Sequence, residues 1–251
     1  GATDYVVNYA TCSSSCSSTS SWTTTTGIHP DVDVKHLSFT IDSNNALHIA
    51  TWSSNDYEVY YGICATLCTS PSSWSNVSID SHTSQFFGQN PSISVDSNNN
   101  PHIVYRGIDP TGSTSNSALA YATCISSCLS DSSFWSVIAV DGRGGAGWGT
   151  AIAVNQGNNS VHMVYAKYDI LQADGGDIHY LSTDTAPYSI SPDLPKGLSL
   201  DWGSGKILGT PTELSSSTTY TITARNSHGT DTATLTISVN APPLMSYDWG
   251  S

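Results

Sequence analysis

The sequence predicts an all-β chain: a β-propeller of about three to four blades, partial or completed by an oligomer, followed by a smaller β module. Three observations predict it. A strand–turn–strand unit recurs along residues 1–184, six cysteines fall as three identical pairs at one point of that unit, and the polarity comes mostly from Ser, Thr and Asn. Only 11% of the 251 residues are charged. Twenty Asp and Glu against seven Lys and Arg give a net charge of −13. A surface with so few cations does not displace counterions from nucleic acid, nor does it favour anionic lipid. No apolar run approaches the eighteen residues of a membrane span, so no membrane insertion is expected. The chain opens Gly-Ala-Thr-Asp without Met, and reads as a processed form or a piece of a longer protein.

The repeat is legible in order. Residues 37–52 read LSFTIDSNNALHIATW, 91–106 read PSISVDSNNNPHIVYR, and 150–166 read TAIAVNQGNNSVHMVYA. Each has an apolar strand, an Asp/Asn turn, and a second strand carrying His and then an apolar pair. The turn follows because Asp and Asn side chains bond nearby backbone and tolerate left-handed φ. The strands follow from alternation, with Ile93 and Val95 on one face against Ser92 and Ser94. A third strand comes about ten residues later and ends near Tyr61, Tyr121 and Tyr180. The chain also opens on such a strand, near Tyr9. A fourth begins at Trp22, Trp74 or Trp135. The last unit has Thr183 in place of a cysteine and no Trp strand after it, so the final blade is incomplete.

The cysteine pairs are Cys12/Cys16, Cys64/Cys68 and Cys124/Cys128. Each C-x3-C stands alone in a Ser-rich stretch, without the C-x2-C partners of a zinc site. Three local disulfides in an oxidising compartment are expected, and with them a secreted or cell-surface address. Asn76 and Asn158 head N-x-[ST] triplets, a pattern that arises easily by chance in so Asn- and Ser-rich a chain.

The pattern S-I-x-V-D-S-N-x-N-P-H-I-x-Y, then L-x-Y-A-T-C-x3-C and W, resembles the repeats of large secreted bacterial and archaeal propeller proteins. It is loosely similar to sialidase-type Asp-box repeats, but departs from them: Asp42 and Asp96 lead into Asn-rich turns rather than the Gly and Trp of that box. After Asp184 the character changes. YSISPDLPKGLSLD, GKILGTPT and YTITARNSHGTDTAT resemble the Ig-like (cadherin-like) module of bacterial surface proteins. That resemblance implies a small Ig-like β-sandwich over 185–240, with 241–251 as a linker or strand-donating tail. Its first one or two strands are missing from this stretch.

Candidate chemistry is sparse. His48, His102 and His162 occupy equivalent positions and read as structural, each ring bonding a neighbouring turn. Asp31 and Asp33 in one loop, and Asp169, Asp174 and Asp177 in another, offer oxygens that could take Ca2+, though neither loop is an EF-hand; no other cofactor is expected. Gly142, Gly144 and Gly147 satisfy G-x-G-x-x-G, but strand rather than helix follows, so a flexible inter-blade loop is expected. No G-x-S-x-G occurs. A sialidase would need three arginines on the substrate carboxylate. Only Arg106, Arg143 and Arg225 exist, the last in the other module, and Glu58 and Glu213 are the only glutamates.

The sequence therefore points to a non-catalytic surface protein for adhesion or recognition, with glycans or a second copy of itself as partners. Exposed aromatics stack on sugar faces, and Trp52, Tyr57, Tyr105 and Trp148 are the candidates. One alternative is a structural subunit assembled by strand exchange, in which residues 1–26 complete the 150–183 blade or the 241–251 tail fills the module of the next subunit. The other is a glycoside hydrolase.

Overall fold

A computed structural model describes residues 5–30, 33–82, 87–108, 117–142, 145–167, 176–183, 188–200, 205–226 and 229–241. The chain is nearly all β. It forms a two-stranded sheet of β1 (Asn8–Thr11) and β2 (Thr23–Thr26), then a four-stranded meander of β3 (Val34–Ile41), β4 (Leu47–Ser53), β5 (Glu58–Cys64) and β6 (Ser75–Ser81). A second four-stranded meander follows: β7 (Ser92–Val95), β8 (Pro101–Ile108), β9 (Ser117–Thr123) and β10 (Ser136–Asp141). β11 (Ala146–Val154), β12 (Val161–Lys167) and β13 (Asp177–Ser182) make a three-stranded one. The pairings between these strands are antiparallel, and an isolated parallel bridge links Tyr5 and Asp33. The described strands do not close into a ring. β1 and β2 form their own sheet and do not join β11–β13, so residues 1–26 do not complete the 150–183 unit.

The sheets stack face to face, because each has two apolar faces and neither can be left in water. Ala50, Trp52, Val59, Tyr61 and Ile79 of one meander meet Ile93, Ile103, Tyr105, Ala120 and Ala122 of the next. The other face of that second meander, with Val104, Leu119 and Tyr121, meets Val154, Val161, Met163 and Tyr165. Val7 and Ile28, beside β1 and β2, cover Leu47 and Ile49. The first strands also lie side by side. Ser38 Oγ accepts from the Ile93 amide (3.3 Å), and Ser92 and Ser94 Oγ accept from the Ile152 and Val154 amides (3.2 Å each).

The Asp/Asn turns form as the sequence predicts. Asp42 Oδ1 accepts from the Asn44 and Ala46 amides at 2.9 and 2.7 Å, and Asp96 Oδ1 from the Asn98 and Asn100 amides at 2.8 Å each. Asn45, Asn99 and Asn159 carry the left-handed residue of each turn, with φ of 64°, 67° and 57°. Each of the latter two reaches back one repeat: Asn99 Oδ1 accepts from Ser43 N and Oγ, and Asn159 Oδ1 from Ser97 N.

All three cysteine pairs are disulfides. The indole N–H of Trp22, Trp74 and Trp135 donates to the carbonyl of Cys16, Cys68 and Cys128 at 3.0–3.1 Å, and locks each short loop to the fourth strand. Those strands begin one residue after the Trp.

The C-terminal module has β14 (Tyr188–Ser191), β17 (Ser215–Asn226) and β18 (Gly229–Val239) in one sheet and β15 (Leu198–Leu200) with β16 (Ile207–Gly209) in another. The β17–β18 hairpin pairs Asn226 with Gly229 across its turn, and the turn at Pro195–Gly197 closes through Leu198 N to Pro195 O (3.0 Å). β15 packs on β10. No helix among the described residues is long and apolar enough to cross a membrane.

Candidate functional site

The recurring polar unit is Asp–His–Tyr. His48 Nδ1 lies 2.8 Å from the Tyr61 hydroxyl, and its Nε2 faces Asp42 Oδ2 at 3.4 Å. His102 repeats this with Tyr121 (2.5 Å) and Asp96 (3.7 Å). Neither Nε2 is within hydrogen-bond geometry of its carboxylate, so each Tyr hydroxyl is the ring's hydrogen-bond partner and the Asp acts on the ring mainly through its charge. Burial holds both imidazoles below their usual pKa, against the pull of the neighbouring Asp, and drives Tyr61 and Tyr121 well above theirs. In the third repeat Asn155 replaces Asp, and His162 meets Ser160 Oγ (3.0 Å) and Tyr180 OH (2.7 Å). The partner of each histidine is thus the tyrosine of the third strand as well as the turn. The sequence shows both residues at fixed spacing, but only strand pairing brings them together.

The four predicted aromatic ligands map to the opposite end of the sheets from these turns. Two of them are core. Tyr105 is wholly buried and donates to Asp80 Oδ2 at 2.6 Å, and Trp52 is 3% exposed. Neither presents a ring face to a sugar, because each fills the space between neighbouring sheets. Tyr165–Asp141 (2.7 Å) and Thr51–His29 (2.9 Å) occupy the places equivalent to Tyr105–Asp80, so this is a repeated link from a second strand to the sheet before it. Tyr57 is half-buried, at a left-handed turn with φ 62°.

Trp148 differs: its ring is 43% exposed, and the Arg106 guanidinium lies over it at 3.8 Å from the ring centroid. Arg106 is itself 8% exposed, donates to Gln89 Oε1 at 3.5 Å, and has no partner for Nε. Among the described residues no carboxylate pairs with it. Burial lowers its pKa, yet a guanidinium stays protonated. The shelf is built by glycines. Gly147 has φ +91°, and a Cβ there would stand 2.8 Å from Arg106 Cα and 2.9 Å from the Ala118 carbonyl. Gly149 has φ +58°, and the β11–β12 register shifts on both sides of Trp148. Gly147, expected in a flexible inter-blade loop with Gly142 and Gly144, therefore belongs to a bulged strand that starts at Ala146, as does Gly149; Gly144 lies outside the described residues. The double bulge turns Trp148 out of the alternation and over Arg106. Sequence reasoning found the tryptophan but not the arginine, whose only signal was the Gly-x-Gly spacing around Trp148.

The carboxylates at this end are engaged. Asp80 takes Tyr105 and lies 3.2 Å from His82 Nε2; Asp141 takes Tyr165 and Lys167. Of the expected Ca2+ ligands, Asp33 is paired with Lys35 at 2.7 Å and bonded by Ser54, and Asp177 lies opposite Lys167 in the β12–β13 register. Asp31, Asp169 and Asp174 lie outside the described residues, as does the 242–251 tail. A separate cleft of about 970 Å3 runs between residues 132–138 and the C-terminal module, past Phe134, Tyr188 and Lys196.

A family model described as "Putative Ig domain" matches residues 150–240, which takes in the end of β11, β12 and β13 as well as the C-terminal module. Among solved structures, the chain is similar to an alpha-L-arabinofuranosidase from Lactobacillus brevis, with 11% identity, 84% of this chain and 70% of that one covered, and a TM-score of 0.42. It is also similar to the polysaccharide lyase Uly1, with 11% identity, 84% and 59% covered, and a TM-score of 0.36. No curated protein matches.

Proposed function

We propose that this is an extracellular, non-catalytic recognition protein that binds carbohydrate at the Arg106–Trp148 shelf, its stacked sheets forming part of a β-propeller. The observation that carries the reading is the half-exposed Trp148 ring with a buried, carboxylate-free guanidinium on it. An aromatic face takes the apolar face of a sugar, and guanidinium N–H groups donate to its oxygens. A non-catalytic role is supported by the neighbouring carboxylates, which are already bound to Tyr, His or Lys rather than poised as acid and base. The local disulfides fit an oxidising compartment.

An array of neutral and acidic glycans, probed with the full chain, tests it. The expected result is binding that Trp148→Ala weakens at least about tenfold, a loss of ~1.4 kcal/mol, with an unchanged melting temperature. A full chain that binds nothing on the array overturns the carbohydrate reading. Turnover of a chromogenic glycoside, abolished by Asp80→Asn or Asp141→Asn, overturns the non-catalytic one.

A further inference from the structure

The repeats are close enough in geometry that each internal sheet shows what its equivalent at the open end lacks. Three features at the β1/β3 end lack the same thing. β1 occupies a third-strand position, because its Tyr9 matches Tyr61, Tyr121 and Tyr180, and like β5 and β9 it pairs with a fourth strand. Its other edge, which β5 and β9 give to β4 and β8, is unpaired among the described residues. Each of the other three tyrosines bonds a histidine of the adjacent second strand; the Tyr9 hydroxyl has no partner among the described residues.

The second feature is apolar. Leu37, Phe39 and Ile41 point to one side of β3 and are 55%, 60% and 53% exposed. Their equivalents on β7, Ile93 and Val95, are each 5% exposed. Ile93 is covered by Ala50 and Trp52 of the preceding second strand. The third is polar. Asn99 and Asn159 each receive an N–H from the serine of the preceding Asp-Ser turn, whereas Asn45, with the same left-handed backbone, receives none among the described residues.

One object satisfies all three: a first-strand/turn/second-strand hairpin. Its second strand would pair with β1 and bring a histidine to Tyr9, its turn serine would donate to Asn45, and its apolar side would cover Phe39. We propose that the open edge of β1 and the bare face of β3 together form a docking site for a β-hairpin of this protein's own repeat type, bound by strand addition. Main-chain bonds to β1 supply affinity, and the His–Tyr, Ser–Asn and apolar contacts supply specificity. The site is remote from the shelf and does not depend on the carbohydrate reading.

The test adds the segment Pro91–Arg106 to the full chain in two formats, as a free peptide and fused ahead of Gly1 through a flexible linker, and reads amide hydrogen exchange. The expected result is at least about tenfold slower exchange at residues 8–11 and 37–41 in the fusion, where linkage raises the effective concentration. A scrambled segment should not slow it. His102→Ala within the added segment should weaken the effect, and Phe39→Asp in the chain, at an exposed position, should abolish it. No slowing in either format, or slowing confined to β13 or β18, overturns the proposal.

Discussion

At the scale of single residues, the Asp–His–Tyr units place ionisable groups where protonation costs folding free energy. Burial lowers the pKa of His48 and His102 from the ordinary 6.5, and the facing carboxylates only partly restore it. Below pH 6.5 the unfolded chain therefore binds more protons than the folded one. Stability contributed by the neutral rings is full above that value and falls as pH drops toward the folded pKa values, by at most ~1.4 kcal/mol per pH unit for each ring. His36 is shifted in the same direction by burial and adds to the slope. Burial raises the Asp96 pKa, but the bonds from Asn100 and Asn98 together with the charge of His102 outweigh it and leave it lowered, so its contribution is lost only within the carboxylate range. We expect the urea midpoint to fall between pH 7 and pH 5, and less steeply in a His48→Gln/His102→Gln chain. Equal slopes in the two chains would contradict the assignment.

At the scale of elements, the turn asparagines separate backbone strain from capping. Asn45 and Asn99 share the same φ, but only Asn99 also holds a serine of the neighbouring repeat through two hydrogen bonds. Glycine accepts a positive φ without cost, so Asn→Gly removes the cap and leaves the backbone satisfied. Asn99→Gly should cost about 1 kcal/mol or somewhat more, the net worth of the lost bonds. Asn45→Gly should cost less than about 0.5 kcal/mol by the same measure. Urea denaturation of the two variants checks this, and equal losses would mean that the inter-repeat bonds contribute nothing.

The whole molecule is a stack, and the cost of a substitution depends on position in it. Leu119 and Ile178 are equivalent third-strand residues, two positions before Tyr121 and Tyr180. Leu119 is fully buried against the β11–β13 sheet, while Ile178 is 73% exposed on the outer face of that sheet. Leu119→Ala should destabilise by about 2–5 kcal/mol. Ile178→Ala should stay within about 0.5 kcal/mol. A large loss at Ile178, measured by chemical denaturation, would show that its face is covered in solution.

Much of this was legible in the sequence. Alternation and Asp/Asn turns specified the strands and hairpins, since both depend on contacts between residues a few positions apart. The even C-x3-C pairs specified the disulfides for the same reason, and the turn at Asn226–Gly229 was readable as a hairpin. What the sequence left undecided were contacts between sheets. Trp52, Tyr105 and Trp148 are all aromatic residues at similar ends of strands, and nothing local says that two are core and one is exposed. Burial is set by what stacks against a face, and that depends on sheets some sixty residues apart, as Thr150 Oγ1 bonding the Asn90 carbonyl shows. The pairing of Arg106 with Trp148 was decided in the same way: it exists only because two left-handed glycines bulge β11 against β8, a tertiary event with no local pattern that names its arginine.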